Sequence, residues 1–486
     1  MSECERSYFY GLSFERISDR LDYIYNHPRF DKIKAFRSSQ VSFRFSELAI
    51  PNGVDYGITE SGKDEGRIEF VNTQNLNEHG VIEREDIKFV DSAPDNKRLS
   101  ANEILISRSR LVGRVAKVTD DFEGATFGSY IIRFKLRDNI DYDLDFLVRY
   151  LNGKSGQEQI ELLKTGSSGQ NINSGQLLDI RLPRISDTKQ QVILKTISAV
   201  ESEATTFERD LEILEKKIET MLLEEIGIRV TEAERENYFF KSGNRKTVFF
   251  SVFPDEQMDR LSYLFYDPRY DILQELRRKY DVDALKNACC EPIHRGEQPE
   301  YSENGEILAI KTIDLKSSYI DYDHCLRVSK EFFDKVPTAH VRKNDVLVAS
   351  TGYGSMGKVD VYSKNEEAMV DGHIAILRLK EEYDPFFIAY FLRSHLGQIQ
   401  FEKWFTGSSG QIEIQPKDLD QFILPKSSDT GLSLTRQKGI ASKLTEILND
   451  CFELKEKSKE KWEQSKNLFE KLIWQQITNQ PSEENK

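Results

Sequence analysis

Apolar positions along this chain recur at more than one period, and the same succession of periods runs through it twice. Strand-like segments at 68–73 and 104–107 have counterparts at 307–312 and 346–349. Asn102-Glu103 and Asn344-Asp345 stand just before the second strand of each set as turn residues. That strand opens into a turn-rich loop, 108–114 in the first half and 350–358 in the second, and a strand returns at 115–118 and 359–362. Helical periodicity then covers 144–163 and 385–404. Each helical stretch leads into an identical string, Thr165-Gly166-Ser167-Ser168-Gly169-Gln170 and Thr406-Gly407-Ser408-Ser409-Gly410-Gln411. Short apolar runs ending in Leu182-Pro183 and Leu424-Pro425 close the two halves. One module is used twice.

Past each Leu-Pro the period changes to a heptad. Ile193, Ile197, Val200, Ala204, Phe207, Leu211, Leu214, Ile218 and Met221 are spaced alternately four and three, which predicts a coiled-coil helix. The second copy runs Ile440, Leu444, Ile447, Cys451 and Leu454, turns polar at Ser458, Lys461 and Ser465, and recovers at Leu468 and Leu472. It cannot form a dry seam along its full length by itself. Residues 187–227 carry ten acidic and five basic side chains, net −5, whereas 434–475 carry seven acidic and nine basic, net +2. Opposite balances favour pairing of the two helices with each other. The expected seam uses Ile197, Val200, Phe207, Leu211, Leu214 and Ile218 on one helix and Leu444, Ile447, Leu454 and Leu468 on the other. Antiparallel pairing would place the modules at opposite ends of a rod of about 45 Å.

The expected class is therefore α+β: two tandem α/β domains, each followed by a long helix, with the helices forming an antiparallel coiled coil. The expected boundaries are 1–186 for the first domain, 187–228 for the central helix, 229–247 for a polar linker, 248–432 for the second domain, 433–476 for the distal helix and 477–486 for a disordered tail. The domain openings repeat as well. Asp19-Arg20-Leu21-Asp22-Tyr23 through Pro28-Arg29-Phe30-Asp31 matches Asp259-Arg260-Leu261-Ser262-Tyr263 through Pro268-Arg269-Tyr270-Asp271 at seven of 13 positions. Arg20 and Arg260 read either as phosphate contacts or as structural partners of a nearby carboxylate.

Composition narrows the function. No run approaches 18 apolar residues, so no membrane span is expected. The acidic start lacks the apolar core of a secretory signal, and five unpatterned cysteines fit a reducing cytoplasm. There is no P-loop string, HExxH or paired CxxC, and no metal is expected at Cys289, Cys290 and His294, because adjacent cysteines poorly ligate one tetrahedral ion. The net charge of −14 makes nucleic-acid binding depend on where the cations sit. The candidates are loop residues at matching points: Arg108, Arg110, Arg114 and Lys117 in the first half, and Thr351, Tyr353, Ser355 and Lys358 in the second. Lys164, Ser167, Ser168, Gln170, Ser408, Ser409 and Gln411 join them from the repeated string. Arg, Lys, Ser and Tyr in loops suit phosphate and base-edge hydrogen bonds. The alternatives are solvated surface loops and, for the repeated string, a helix stop with a tight turn.

This order resembles the specificity subunit of type I restriction-modification systems: two halves, each ending in Gly-Ser-Ser-Gly-Gln, an isoleucine-containing strand and Leu-Pro, then a glutamine (Gln190, Gln191; Gln437) and a long helix. The resemblance implies two target-recognition domains, each reading one part of a bipartite site in double-stranded DNA. It implies spacer helices that bind two methyltransferase subunits, with a motor-nuclease subunit joining for cleavage. The chain would be non-catalytic and bind no cofactor. S-adenosylmethionine would sit on the methyltransferase, and ATP and Mg on the motor-nuclease. A coiled-coil scaffold with two protein-binding modules is the competing reading, and the acidity favours it.

If the helices hold two readers apart, their length sets the distance between half-sites. Inserting four residues near Thr205-Thr206 adds roughly 6 Å of helix. Because duplex DNA rises about 3.4 Å per base pair, the preferred spacer should lengthen by about one or two base pairs with unchanged half-site bases. Selection from a library with randomised spacers measures this, and altered half-site bases with an unchanged spacer would refute it.

Overall fold

The computed structural model describes residues 27–63, 65–84, 86–138, 141–164, 171–230, 263–352, 354–408 and 411–479. Contacts divide the chain into two units. One comprises the residues up to Phe207 together with those from Glu456 onward, and the other comprises Glu208–Lys455. The openings with Arg20 and Arg260, and most of the expected linker, lie outside the described residues, as do Gly166 and the tail from 480.

In the first unit an antiparallel sheet orders Ala49–Tyr56, Ile131–Leu136, Ile104–Ser107 and Val115–Lys117. A second sheet centres on Ile68–Val71, antiparallel to Lys88–Val90 and parallel to Thr126–Phe127. The second unit repeats both. Its first sheet orders His294–Arg295, Ile374–Leu377, Val346–Ala349 and Val359–Val361, and its second centres on Ile307–Ile310. The central strands Ile104–Ser107 and Val346–Ala349 are buried at every position, as strands covered on both faces must be. Asn102 and Asn344 take the left-handed conformation at φ 67° and 74°, one residue before Glu103 and Asp345. Those acids then pair with Lys135 on the neighbouring strand and with Arg378 just past the end of Ile374–Leu377.

Each expected helix at 144–163 and 385–404 is two helices. Leu144–Asn152 and Lys154–Leu163 are separated at Gly153, and Pro385–Arg393 and His395–Trp404 at Ser394. The chain folds back so tightly that a Cβ on Gly156 would lie 2.3 Å from the Tyr150 carbonyl oxygen, and one on Gly397 2.2 Å from that of Leu392.

Buried glutamines fasten this corner. Gln159 Nε2 donates to the Arg181 carbonyl at 2.9 Å while its Oε1 accepts from Arg181 N–H at 2.8 Å. Gln400 does the same to Ile423, at 3.0 and 2.6 Å. They bind the edges of the Leu-Pro strands Arg181–Pro183 and Ile423–Pro425, which pair on the other side with Ser42–Arg44 and Val282–Ala284. Gln190 and Gln437 accept from the N–H groups of Asp143 and Asp384 and donate to Ile185 and Leu432, tying each long helix to its module.

The long helices span Asp187–Ile226 and Leu434–Thr478. Within the first unit they run antiparallel, with Glu201 beside Ser465 and Glu203 beside Lys461. In the second, Glu225 pairs with Lys443 and receives Arg436 on its carbonyl. Acids of the central helix thus meet bases of the distal one. Ile197, Leu444 and Ile447 are buried, whereas Val200, Phe207, Leu211, Leu214, Ile218, Leu454 and Leu468 are half-buried. The two serines of the distal helix's polar stretch are buried too, Ser458 being 5% and Ser465 2% exposed. Ser465 donates to Glu201 at 3.1 Å, and Glu201 receives Arg149 Nε and Nη2 at 3.1 and 2.6 Å. A three-member polar contact thereby replaces the missing apolar layer, each buried charge having its partner.

Each module's core is completed by the far end of the helix that follows the other module. Phe469 and Ile473 pack with Phe146, Leu147 and Tyr150, and Leu222 and Ile226 with Tyr280, Phe387 and Phe391. Glu470 accepts from the N–H and hydroxyl of Ser155, both at 2.7 Å.

Removing the amide of Gln400 leaves a buried backbone N–H and carbonyl without their partner, at a cost of about 1–3 kcal/mol each. Gln400→Ala should lower the urea midpoint clearly, and Gln398→Ala, whose side chain is half-buried, should lower it less.

Candidate nucleic-acid interface

One end of the first sheet gathers four segments. Gly57 N–H donates to the Ile131 carbonyl at 3.4 Å and Ile58 N–H to that of Phe127 at 2.9 Å. Arg108 N–H donates to Tyr130 O at 2.8 Å and Ile172 N–H to Arg108 O at 3.2 Å. Gly57 is required by this approach, since a Cβ there would lie 2.2 Å from the Phe127 oxygen. On this frame the Arg108 guanidinium lies 5.0 Å over the Tyr56 ring and that of Arg110 5.3 Å over Tyr130. Ser174 N–H donates to the Tyr56 hydroxyl at 3.1 Å, which fixes the ring from the segment just after the repeated string. Arg110 itself has φ 62°, so the loop turns sharply at its most exposed cation, and Tyr130 beside it is 50% exposed.

The remaining first-half candidates are spread. Arg114 donates to the Leu76 carbonyl at 2.9 Å. Lys117 is ion-paired with Asp145 on the following helix, and Lys164 caps the helix Lys154–Leu163, half-buried. Ser167, Ser168 and Gln170 lie outside the described residues. Deeper in the sheet, Asp55 is partly buried, yet Lys97 and Arg133 hold its carboxyl below the usual range. That pairing neutralises an acid directly behind Tyr56.

The second unit repeats the frame with other side chains. Gly296 stands where Gly57 does, its N–H on the Ile374 carbonyl at 3.1 Å, and a Cβ there would lie 2.1 Å from Val370 O. Ser350 N–H donates to His373 O at 2.8 Å, and Ile414 N–H to Ser350 O at 2.9 Å. Tyr56 is thus replaced by Arg295, Arg108 by Ser350 and Tyr130 by His373. Arg295 donates to Glu413 Oε2 at 3.3 Å and to the Ile414 carbonyl at 2.6 Å. Thr351 bridges to Glu413, and Ser355 closes the turn onto Gly352 at 3.1 Å. Lys358 occupies the position of Arg114 after a left-handed glycine (Gly357, Gly113); burial, with Lys316 nearby, pushes its ammonium pKa down. Gln157 and Gln398 donate to the carbonyls of those glycines at 2.8 and 2.9 Å, holding each loop base against the helical corner.

The repeated string is a hairpin in the second unit, Thr406–Ser408 pairing with Gln411–Glu413. Its helix stops earlier, at Trp404, and Gly407 sits in the hairpin with φ 103°. The helix-stop reading of Gly407 is therefore replaced by a strand glycine that delivers Glu413 to Arg295. The side chains of Ser408 and Gln411, like Tyr353 and Ser409 entirely, lie outside the description. Sequence reasoning missed Tyr56, Tyr130, Arg295, His373 and Glu413. The available signal was the pair Tyr56-Gly57 and Arg295-Gly296, each glycine standing at the same distance before the strand Ile68–Val71 or Ile307–Ile310.

The fold and these loop clusters define a tandem recognition protein: one backbone frame, present twice, with different chemistry at its tip. The type I restriction modification DNA specificity domain model matches residues 45–216 and 292–464, and the chain belongs to that family of DNA specificity domains. It is 28% identical over 134 residues to the type I restriction enzyme EcoBI specificity subunit of Escherichia coli, covering 27% of this chain and 27% of that subunit's length. Among solved structures it aligns with the type I restriction-modification S subunit from M. genitalium at 17% identity, covering 89% of this chain and 95% of that one, with a TM-score of 0.39. A chain from a structure of type I R-M complex assembly and conformational transition aligns at 15% identity over 89% of this chain and 97% of its own, with a TM-score of 0.41. Among the described residues, no helix is long and apolar enough to cross a membrane, and no three His, Cys, Asp or Glu side chains are grouped to hold a metal.

Arg108→Ala and Arg110→Ala should each weaken duplex binding and reduce the slope of log affinity against log salt by about one if the guanidinium meets a phosphate. A slope unchanged with relaxed sequence preference would instead place that arginine on a base edge. Titrations at several salt concentrations distinguish the two.

Proposed function

We propose that this chain reads a bipartite site in double-stranded DNA, one half-site per module, and that its paired helices recruit two adenine-methyltransferase subunits, with a motor-nuclease joining for cleavage. The observation that carries the reading is the conserved frame with exchanged tips: Tyr56, Arg108 and Tyr130 against Arg295, Ser350 and His373. A frame held by glycines and glutamines while its tip varies is what two readers of different base sequences require. The tips suit different edges. Stacked arginines offer donors for guanine or phosphate, whereas Glu413 offers an acceptor for a cytosine amino group. The net charge of −14 fits local cation clusters better than a bulk electrostatic hold. The chain supplies recognition and no catalysis; S-adenosylmethionine, ATP and Mg belong to the partners in this reading.

Exchanging residues 1–185 for the first module of another member of the family should change one half of the methylated site and leave the other intact. Long-read methylation sequencing reads the outcome, and changes in both halves would refute independent readers. Binding of duplex DNA that is indifferent to salt and sequence would favour the protein-scaffold alternative.

A further inference from the structure

The two units differ where the helix pair meets the module. In the first unit this cleft retains only about 30 Å³, because Trp462 of the distal helix lays its indole on the His79 ring at 3.9 Å and 19°. In the second unit the corresponding cleft is a cavity of about 370 Å³. The register is fixed by residues with the same burial and contacts: Gln190 with Gln437, Ile197 with Leu444, Phe469 with Leu222, and Ile473 with Ile226. Continuing it along the helices places Glu215 where Trp462 stands, Ile218 for Ser465, Leu448 for Glu201 and Tyr390 for Arg149. The second cleft has therefore lost its internal ring and gained an apolar floor.

We propose that this cavity is a binding site for a free, uncharged two-ring aromatic molecule of the indole class. Its volume falls in the range of small-molecule pockets. Its floor of Ile218, Leu444, Leu448 and Tyr390 buries a flat apolar face. One wall is already an edge-to-face aromatic pair, Tyr319 and Phe452, with ring centroids 5.3 Å apart at 85°, so a third ring extends an existing cluster. Polar groups line the same cavity: Ser317, Ser318 and Glu215 can accept from a ring N–H, and Lys455 can donate to one substituent. Arg393 also lines the cavity but is paired with Asp360 and donates to the Val359 carbonyl, so the remaining charges, Glu215 and Lys455, are of opposite sign and give an ionic ligand no net attraction. A purine fits poorly, since several ring nitrogens would be buried against carbon.

The test uses the full chain with labelled isoleucine and leucine methyl groups, titrated with indole. Saturable shifts at Ile218, Leu444 and Leu448 are expected, with a dissociation constant of ~0.1–1 mM. Glu215→Trp rebuilds the plug of the first unit and should weaken indole binding at least about tenfold by occupying the apolar volume. Glu215→Gln, which removes charge without adding a ring, should bind within about threefold of the parent if the pocket reads a neutral ring. Should Glu215→Trp fail to fold by circular dichroism, Leu448→Phe reduces the same volume and should weaken binding in the same sense. The proposal is overturned by no saturable shift up to the solubility limit of indole, by shifts confined to other methyl groups, by undiminished binding in the filled variants, or by adenine binding as tightly as indole.

Discussion

A side-chain amide that meets both backbone groups of one residue is the interaction on which each module depends. Gln159 and Gln400 act as one more rung of β-ladder, supplied from a helix to a strand edge that would otherwise be buried and unpaired. Gln157 and Gln398 use the same helix to hold the base of the variable loop, and Gln190 and Gln437 hold the start of the long helix. All of these bonds go to backbone, so they are insensitive to which side chains the loops carry. The frame is thereby stabilised independently of what it presents.

That independence explains how the two halves diverge in chemistry without diverging in fold. The junction between helices and module shows the same freedom. In the first unit Arg149, Glu201 and Ser465 form a charged contact, whereas Tyr390, Leu448 and Ile218 occupy the equivalent places in the second. Tyr390 there turns its hydroxyl to Thr445 at 3.0 Å instead of to an acid. A polar network and an apolar layer satisfy the same backbone geometry, because every buried polar group in the first has a partner and the second has few to satisfy.

The long-range signals were readable in the sequence. The heptad run from Ile193 to Met221 has a period that only a helix serves, and the duplicated strings located both modules. The opposite charge of the two helices matches the pairs Glu203–Lys461 and Glu225–Lys443. The loop tips were half readable. Arg108 and Arg110 stand at the tip, but Arg114 and Lys117 have the same composition and are engaged elsewhere, with Leu76 and Asp145. Tyr56 and Arg295 were hidden by their strands: Ala49–Tyr56 contains Pro51 and Gly53 and lacks alternation, and His294–Arg295 is two residues long. Their place is set by register against Ile131–Leu136 and Ile374–Leu377, which no local pattern encodes. The break at Gly153 and Ser394 was invisible for a related reason: helical periodicity continues through it, and the turn is made by close backbone approach at Gly156 and Gly397.

The closure of each core by a distant helix end also sets an order of events during synthesis. Phe469 and Ile473 belong to the core that begins at Phe30, and Ser155 finds its carboxylate partner at Glu470. The first module emerges from the ribosome long before those residues exist, with Phe146 and Leu147 lacking part of their cover. The second module meets Leu222 and Ile226 already made and closes as it is translated. Contacts of such sequence separation form slowly and leave apolar surface open in the meantime. The amino-terminal half is therefore the part of the nascent chain most exposed to proteases and chaperones, and it matures last although it is made first.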